Sequence, residues 1–242
     1  MRGAILERLL AAKEAKRPTA LVTDLESGAQ ALLIGDAAPE GDLALSPSLR
    51  SAAAAAIAAD RSGLLDPTLA GNRRLFAQVH SPALRLIIVG AVHISQPLAP
   101  MAALAGYAVT VIDPRGAFAT ALRFPGVTLD PRWPDEAMAE LKPDARTAVV
   151  TLTHDPKLDD PALKVALPSP AFYVGSLGSK RTHAQRIERL TADGMAPDAL
   201  RRLHAPVGLA IGAKSPAEIA VSILAEITQV RHAGARAPAV AA

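Results

Sequence analysis

Four groups of residues in this chain are of the right type and spacing to do chemistry. The first is Gly175-Ser176-Leu177-Gly178-Ser179-Lys180-Arg181, which follows an apolar run. Two glycines allow a tight turn whose successive N–H groups can converge on an anion. Ser179 can cap a following helix that carries Lys180, Arg181 and Arg186 in or near its first turns. Basic side chains gain nothing from the dipole at a helix N-terminus, so a bound phosphate would resolve a local conflict there. A solvated basic face is the plainer alternative.

The second group is Gly90-Ala91-Val92-His93, after the run Leu84–Val89. A dinucleotide-binding turn needs its second glycine so that backbone can approach a phosphate, and Val92 stands there, with Ser95 at the third position. The third group is Asp113 with Arg115. Asp113 ends the next apolar run at roughly the 20-residue spacing of a carboxylate that holds a ribose hydroxyl, and Arg115 could favour a phosphate instead. The fourth is the loop after Thr147–Leu152. His154 and Asp155 suit a polar ligand or acid–base work, and Asp159 and Asp160, just before Pro161, suit helix capping. Their spacing matches no zinc or EF-hand pattern, so we assign no metal site. We assign no catalytic residue either.

These groups must be positioned by the elements between them. From Leu84 onward, apolar runs of strand length (Leu84–Val89, Ala108–Ile112, Thr147–Leu152, Ala171–Val174) alternate with helical segments. Continuous apolar strands alternating with helices predict a parallel sheet covered on both faces, here a Rossmann-like doubly wound domain over 82–231. Ser215-Pro216-Ala217-Glu218 is a capping box that starts a helix with Ile219, Ile223 and Ile227 on one face, widened by Val221 and Leu224. Residues 1–80 read as a smaller α+β domain. It has a helix near 2–16, strands at Ala20–Asp24 and Ala29–Ile34 around a Glu26-Ser27-Gly28 turn, a helix at Ser48–Asp60 and a third strand near Arg73–Val79. Residues 232–242 read as a disordered tail.

Composition narrows the classes. The 242 residues are half hydrophobic, carry a net charge of +3 and contain no cysteine, which removes disulfides, thiolate metal sites and cysteine nucleophiles. No basic stripe interleaved with aromatics points to nucleic acid, and no apolar run approaches the roughly 20 residues that span a bilayer. The opening MRGAILERLLAAKEAKR reads as an amphipathic helix, not a signal peptide. We expect a soluble cytoplasmic protein.

The stretches FYVGSLGSKRTHAQRIERL and RRLHAPVGLAIGAKSPAEIAVSILAEI, with the threonine–histidine–aspartate after the third apolar run, closely resemble the XdhC/CoxI accessory proteins of molybdenum hydroxylases. The resemblance covers roughly Leu84 to Ile227. Arg201, His204, Pro206, Gly208, Gly212, Pro216 and Glu218 fall where the family pattern places them, and residues 1–80 look like a shortened form of that family's N-terminal domain. Two features depart from the family: Val92 replaces the second glycine of its glycine–alanine–glycine–histidine turn, and the cysteines of many relatives are absent.

The resemblance implies a maturation factor and not an enzyme. Such proteins bind the molybdenum cofactor, as molybdopterin or its cytosine dinucleotide, while a cysteine desulfurase sulfurates it. They then help insert it into a xanthine dehydrogenase- or carbon monoxide dehydrogenase-type hydroxylase. Gly90, His93, Asp113, Arg115, His154, Asp155, Gly175, Ser176, Gly178, Ser179, Lys180 and Arg181 would then contact the cargo. A homodimer is suggested by apolar residues on more than one face of the last helix. Two alternatives stay open. An NAD(P)-dependent oxidoreductase is disfavoured by Val92 and by the lack of a tyrosine–lysine pair on one helix. The other is a docking scaffold with no ligand.

Overall fold

The computed structural model describes residues 3–35 and 37–233. The expected tail from 234 onward therefore lies outside the described residues. The chain divides into two compact units, Met1–Pro82 and Ala83–Ala242.

The first unit is an antiparallel sheet with one helix on each face. Its elements are α1 (Gly3–Glu14), β1 (Thr19–Asp24), β2 (Gln30–Ile34), β3 (Glu40–Gly41), α2 (Pro47–Ala58), β4 (Gly63–Leu64) and β5 (Leu75–His80), in sheet order β3-β2-β1-β5-β4. Alternation along the strands sorts the two faces. Ala20, Val22, Ala31 and Leu33 meet Leu49 and Ala53 of α2, while Leu21, Leu32 and Ile34 meet Ile5 and Leu9 of α1. Ser46 caps α2 by accepting from the Leu49 N–H, with Pro47 in the first turn. The third long strand, β5, lies one to two residues later than the sequence pattern suggests.

The second unit contains β6 (Leu84–Val89), α3 (Ser95–Leu104), β7 (Tyr107–Ile112), β8 (Thr128–Asp130), α4 (Pro134–Leu141), β9 (Thr147–Thr151), α5 (Pro156–Ala166), β10 (Tyr173–Ser176), α6 (Lys180–Ala192), α7 (Pro197–Leu200), β11 (Leu203–His204) and α8 (Pro216–Arg231). All six strands are parallel in the order β11-β10-β9-β6-β7-β8. This is the doubly wound Rossmann order, with its switch point between β6 and β9. Alternate residues of β6 feed two cores. Leu84, Leu86 and Ile88 pack with Leu98 of α3 and Ile223 of α8, while Ile87 and Val89 pack with Met138, Leu163 and Leu190 of α4, α5 and α6. Ser215 and Glu218 form both halves of the capping box on α8. Ala220, Ile223 and Ile227 make the buried stripe of that helix, and Val221, expected to widen it, is half exposed.

Two short strands, β8 and β11, complete the sheet edges. Residues 206–212 form no strand of their own. The Val207 N–H donates to the Ser176 carbonyl at 3.1 Å, and the Leu209 N–H donates to the Ser222 carbonyl, which pins this loop between β10 and α8. Glu226 of α8 reinforces the pinning. It accepts from the Tyr173 hydroxyl at 2.5 Å and the Gly208 N–H at 2.7 Å, and it lies 3.3 Å from His204 Nδ1, whose ring stacks on Tyr173.

Candidate functional site

Ligands of open α/β sheets bind outside the carboxyl ends of the strands at the switch point. Here four adjacent strands, β10, β9, β6 and β7, end in the turns that carry the candidate residues.

The β6 turn is a joint. Gly90 has φ +109°, and a Cβ there would come within 2.5 Å of Thr153 Cγ2, so only glycine lets β6 pass the β9 loop. Ser95 is buried and its hydroxyl donates to the Gly90 carbonyl at 2.5 Å. Val92 is partly buried against the apolar core. His93 is exposed.

Asp113 does not face a ribose site. It is fully buried, and its carboxylate accepts from the Ala91 N–H at 2.7 Å, from the Arg115 N–H and Nε at 2.9 Å each, and from Arg115 Nη2 at 2.7 Å. Those four bonds fill its lone-pair sites. Burial pushes this carboxyl up, and the Arg115 and Ala91 donors together outweigh it, so its pKa sits below the usual range. The expected ribose ligand is therefore a clamp on the turn. The same Asp-Pro-Arg sequence recurs at the end of β8. There Asp130 accepts from the Arg132 N–H, Nε and Nη2. This repeat is visible in the sequence, and it points to a local clamp at both places.

In the β9 loop, His154 adopts φ +62°, a region rare for a residue with a side chain, and is exposed. Asp155 caps α5, accepting from the Lys157 N–H at 2.9 Å, with Pro156 in the first turn. Neither Asp159 nor Asp160 is the cap. Asp159 is buried, accepts from the Thr153 hydroxyl at 2.7 Å and lies 3.7 Å from Arg186 of α6. Asp160 pairs with Arg189. Burial pushes the Asp159 carboxyl above its usual range. Arg186, only 1% exposed, donates to the Leu177 carbonyl at 2.9 Å, while its Nε and Nη1, and Asp159 Oδ2, have no hydrogen-bond partner among the described residues. Arg186 is therefore internal and ties the β10 turn to the β9 loop.

The β10 turn also differs from its sequence reading. Gly175 and Ser176 are strand residues. A Cβ on Gly175 would meet Val207 at 2.6 Å and the Tyr173 hydroxyl at 2.8 Å, and the Ser176 hydroxyl bonds that of Thr151 at 2.5 Å. Both are buried and face the protein. Gly178, at φ +150°, makes the turn, and Ser179 caps α6 by accepting from the Thr182 N–H at 3.1 Å. Lys180 and Arg181 are exposed and make no ion pair among the described residues.

The three helix starts along this edge differ in what they can hold. At α3, the Ser95 N–H bonds the Val92 carbonyl, Pro97 has no N–H, and the first turn carries no basic side chain. At α5, the Asp155 carboxylate already occupies the start and Asp159 follows in the first turn. At α6, the first turn holds no acid and two exposed cations. The α6 start is the one suited to an anion.

A depression of about 400 Å³ lies on the β7 side of the β6 turn, lined by Val92, His93, Gln96, Arg115, Phe118 and Arg123 among others. Among the described residues, no three or more histidine, aspartate or glutamate side chains are grouped to hold a metal. No helix among them is long and apolar enough to cross a membrane.

Several known proteins are similar to this chain. It is 35% identical over 166 residues to the uncharacterized protein YqeB of Escherichia coli, covering 67% of this chain and 30% of that protein. It is 37% identical to a protein of Bacillus subtilis named as a probable xanthine dehydrogenase subunit, covering 65% and 46%. It is 33% identical to the molybdenum cofactor insertion chaperone PaoD of E. coli, covering 62% and 41%. The matches thus span less than half the length of each of these relatives. A crystal structure described as a xanthine dehydrogenase from Bacillus halodurans superposes with a TM-score of 0.70 at 26% identity, over 98% of this chain and 66% of that one. The XdhC Rossmann domain matches residues 86–227, more than half of the chain, and takes in every turn described above, so this chain belongs to the XdhC family.

Proposed function

We propose that this chain is a maturation factor that carries the molybdenum cofactor to a molybdenum hydroxylase of the xanthine dehydrogenase or carbon monoxide dehydrogenase type. The observation that carries the reading is the α6 start, where free N–H groups, the Gly178 turn and the unpaired Lys180 and Arg181 stand at the binding edge of a Rossmann sheet. A pterin cofactor with a phosphate tail has the anion this start lacks. His154, exposed at positive φ one strand away, would contact the rest of the cargo. A relative named as a molybdenum cofactor insertion chaperone supports the same reading.

With no cysteine in the chain, its own side chains offer molybdenum no thiolate. The chain would hold pterin and phosphate while a cysteine desulfurase partner supplies sulfur. The hydride-transfer alternative is weaker for a structural reason: the carboxylate that would hold a ribose diol is saturated by Ala91 and Arg115. A homodimer formed through the exposed Val221 of α8 and the half-buried Leu224 beside it is part of the proposal.

The test is anaerobic equilibrium binding of molybdenum-loaded molybdopterin to the full chain and to a Lys180→Ala/Arg181→Ala variant. Exposed substitutions of this kind change stability by about 0.5 kcal/mol or less, so the variant should fold as the parent does. We expect binding to weaken by one to two orders of magnitude, since charge-assisted bonds contribute about 1.5–3 kcal/mol in total here. Equal binding by parent and variant would remove α6 from the site.

A further inference from the structure

We propose that the depression beside β7 binds the nucleoside monophosphate end of a dinucleotide form of the cofactor, so that the cargo lies across the switch point with one end over each half of the sheet. This rests on the cofactor-carrier reading above and adds which form of the cargo the site selects.

Three observations converge on it. First, the depression has the composition of a site for a phosphorylated planar ring. Phe118 is 46% exposed, and the Arg115 and Arg123 guanidinium carbons lie 4.9 and 5.9 Å from its ring centre. His93 and Gln96 also line it. Aromatic and guanidinium planes stack on heterocycles of any identity. Second, the charge is available. Arg115 is neutralised by Asp113, but Arg123 makes no ion pair among the described residues. Its Nη1 donates to the Phe118 carbonyl at 2.7 Å, which holds the guanidinium beside the ring. A phosphate would supply the missing counter-charge.

Third, the placement implies a two-ended ligand. A Rossmann sheet is two mononucleotide-binding halves joined at the switch point. The α6 start stands over the half made of β9, β10 and β11, and this depression stands over the half made of β6, β7 and β8. The two cationic places are three strand spacings apart, about 14 Å at roughly 4.8 Å per strand. Val92 fills the place of the second glycine, the Asp113 clamp takes the Ala91 N–H, and α3 carries no basic side chain in its first turn, so the charged contacts fall at the two ends.

The experiment compares anaerobic binding of molybdopterin and of its cytosine dinucleotide to the full chain and to Phe118→Ala, Arg123→Ala and Arg123→Lys variants. Titrations with cytidine, adenosine and guanosine 5′-monophosphates and with inorganic phosphate run beside it. Folding of each variant is checked by its unfolding transition. We expect the parent to prefer the dinucleotide at least about tenfold, the effect of one lost charge-assisted contact. The Phe118→Ala and Arg123→Ala variants should erase that preference while leaving molybdopterin binding unchanged, and Arg123→Lys should fall between. Equal affinity of the parent for both forms would overturn the inference and leave the carrier reading standing. So would a variant that weakens both forms alike, or nucleoside monophosphates that bind no better than phosphate. Binding of the monophosphates, lost in Arg123→Ala, with neither pterin form bound, would keep the nucleotide site and overturn the carrier reading. No binding of any probe would overturn both.

Discussion

Replacing Gly90 by alanine tests the claim that the β6 turn and the β9 loop are fitted to each other. The alanine Cβ would lie 2.5 Å from Thr153 Cγ2 in a backbone conformation of φ +109°. Strain of that backbone kind costs about 1–3 kcal/mol, and overpacking a fitted contact costs about 1–3 kcal/mol more. Thr153 cannot swing away freely, because its hydroxyl is held to Asp159 at 2.7 Å and takes the Asp155 N–H at 3.0 Å. We therefore expect Gly90→Ala to destabilise the Rossmann unit by about 4 kcal/mol. Thr153→Ser keeps both bonds and deletes only the methyl, at about 1 kcal/mol. In the double variant the steric part disappears, so the two changes together should cost about 3 kcal/mol, not about 5, a coupling of about 2 kcal/mol. The chain's one tryptophan, Trp133, lies in this unit, so its fluorescence through urea unfolding reads the right transition. Strict additivity, or a Gly90→Ala effect under about 1 kcal/mol, would refute the fitted joint.

The buried Asp159–Arg186 pair and the Glu226 network carry two further expectations. Arg186→Ala leaves Asp159 buried without its partner and should cost about 3–5 kcal/mol by urea unfolding, while Asp159→Ala/Arg186→Ala should cost less than the sum of its parts. Burial raises the Asp159 pKa in the folded state, so its contribution to stability is present at acid pH below its unfolded value. That contribution is lost as pH rises through the raised one, and Asp159→Asn should remove this slope. Glu226 has the opposite sign: burial pushes it up, but donors from His204, Tyr173 and Gly208 outweigh that and hold its pKa low. Its contribution is present above its unfolded value and is lost as pH falls through the lower folded one. Glu226→Gln should therefore cost about 2–3 kcal/mol at neutral pH and flatten the acid limb of the stability profile.

The strands that fix the fold are legible in the sequence because burial on both faces leaves a continuous apolar run, as in Leu86–Val89 of β6 and Ala148–Val150 of β9. The edge strands β8 and β11 are not, because they have three and two residues and each pairs on one side only. Helix starts announced by serine and proline are plain at Ser46 and Ser215. Asp155-Pro156 is the same signal, but the acids nearer Pro161 compete with it for the capping role. Gly175 shows the limit of local pattern. Spaced three residues from Gly178 it looks like half of a turn, yet its need for glycine comes from Tyr173 and from Val207, far along the chain. Asp159 and Asp160 likewise take their roles from Arg186 and Arg189 on another helix, and nothing in the local sequence pairs them.

The departure of the β6 turn from the dinucleotide fingerprint and the burial of Asp113 are one arrangement. An ordinary Rossmann turn gives its backbone N–H groups to a pyrophosphate and its acid to a ribose. In this chain the acid takes the Ala91 N–H itself, and Arg115 neutralises the acid, so this N–H and this acid are satisfied without any ligand. Once the N–H is taken, a glycine at 92 has no phosphate to admit. A valine packed on the core costs nothing in binding and adds buried apolar surface. Anion recognition then falls to other places along the same edge, where, among the described residues, Lys180 and Arg181 on one side and Arg123 on the other make no ion pair. A degenerate fingerprint at Gly90 is therefore no argument against cargo binding by this chain. It is the reason to look for the contacts at the two ends of the crevice.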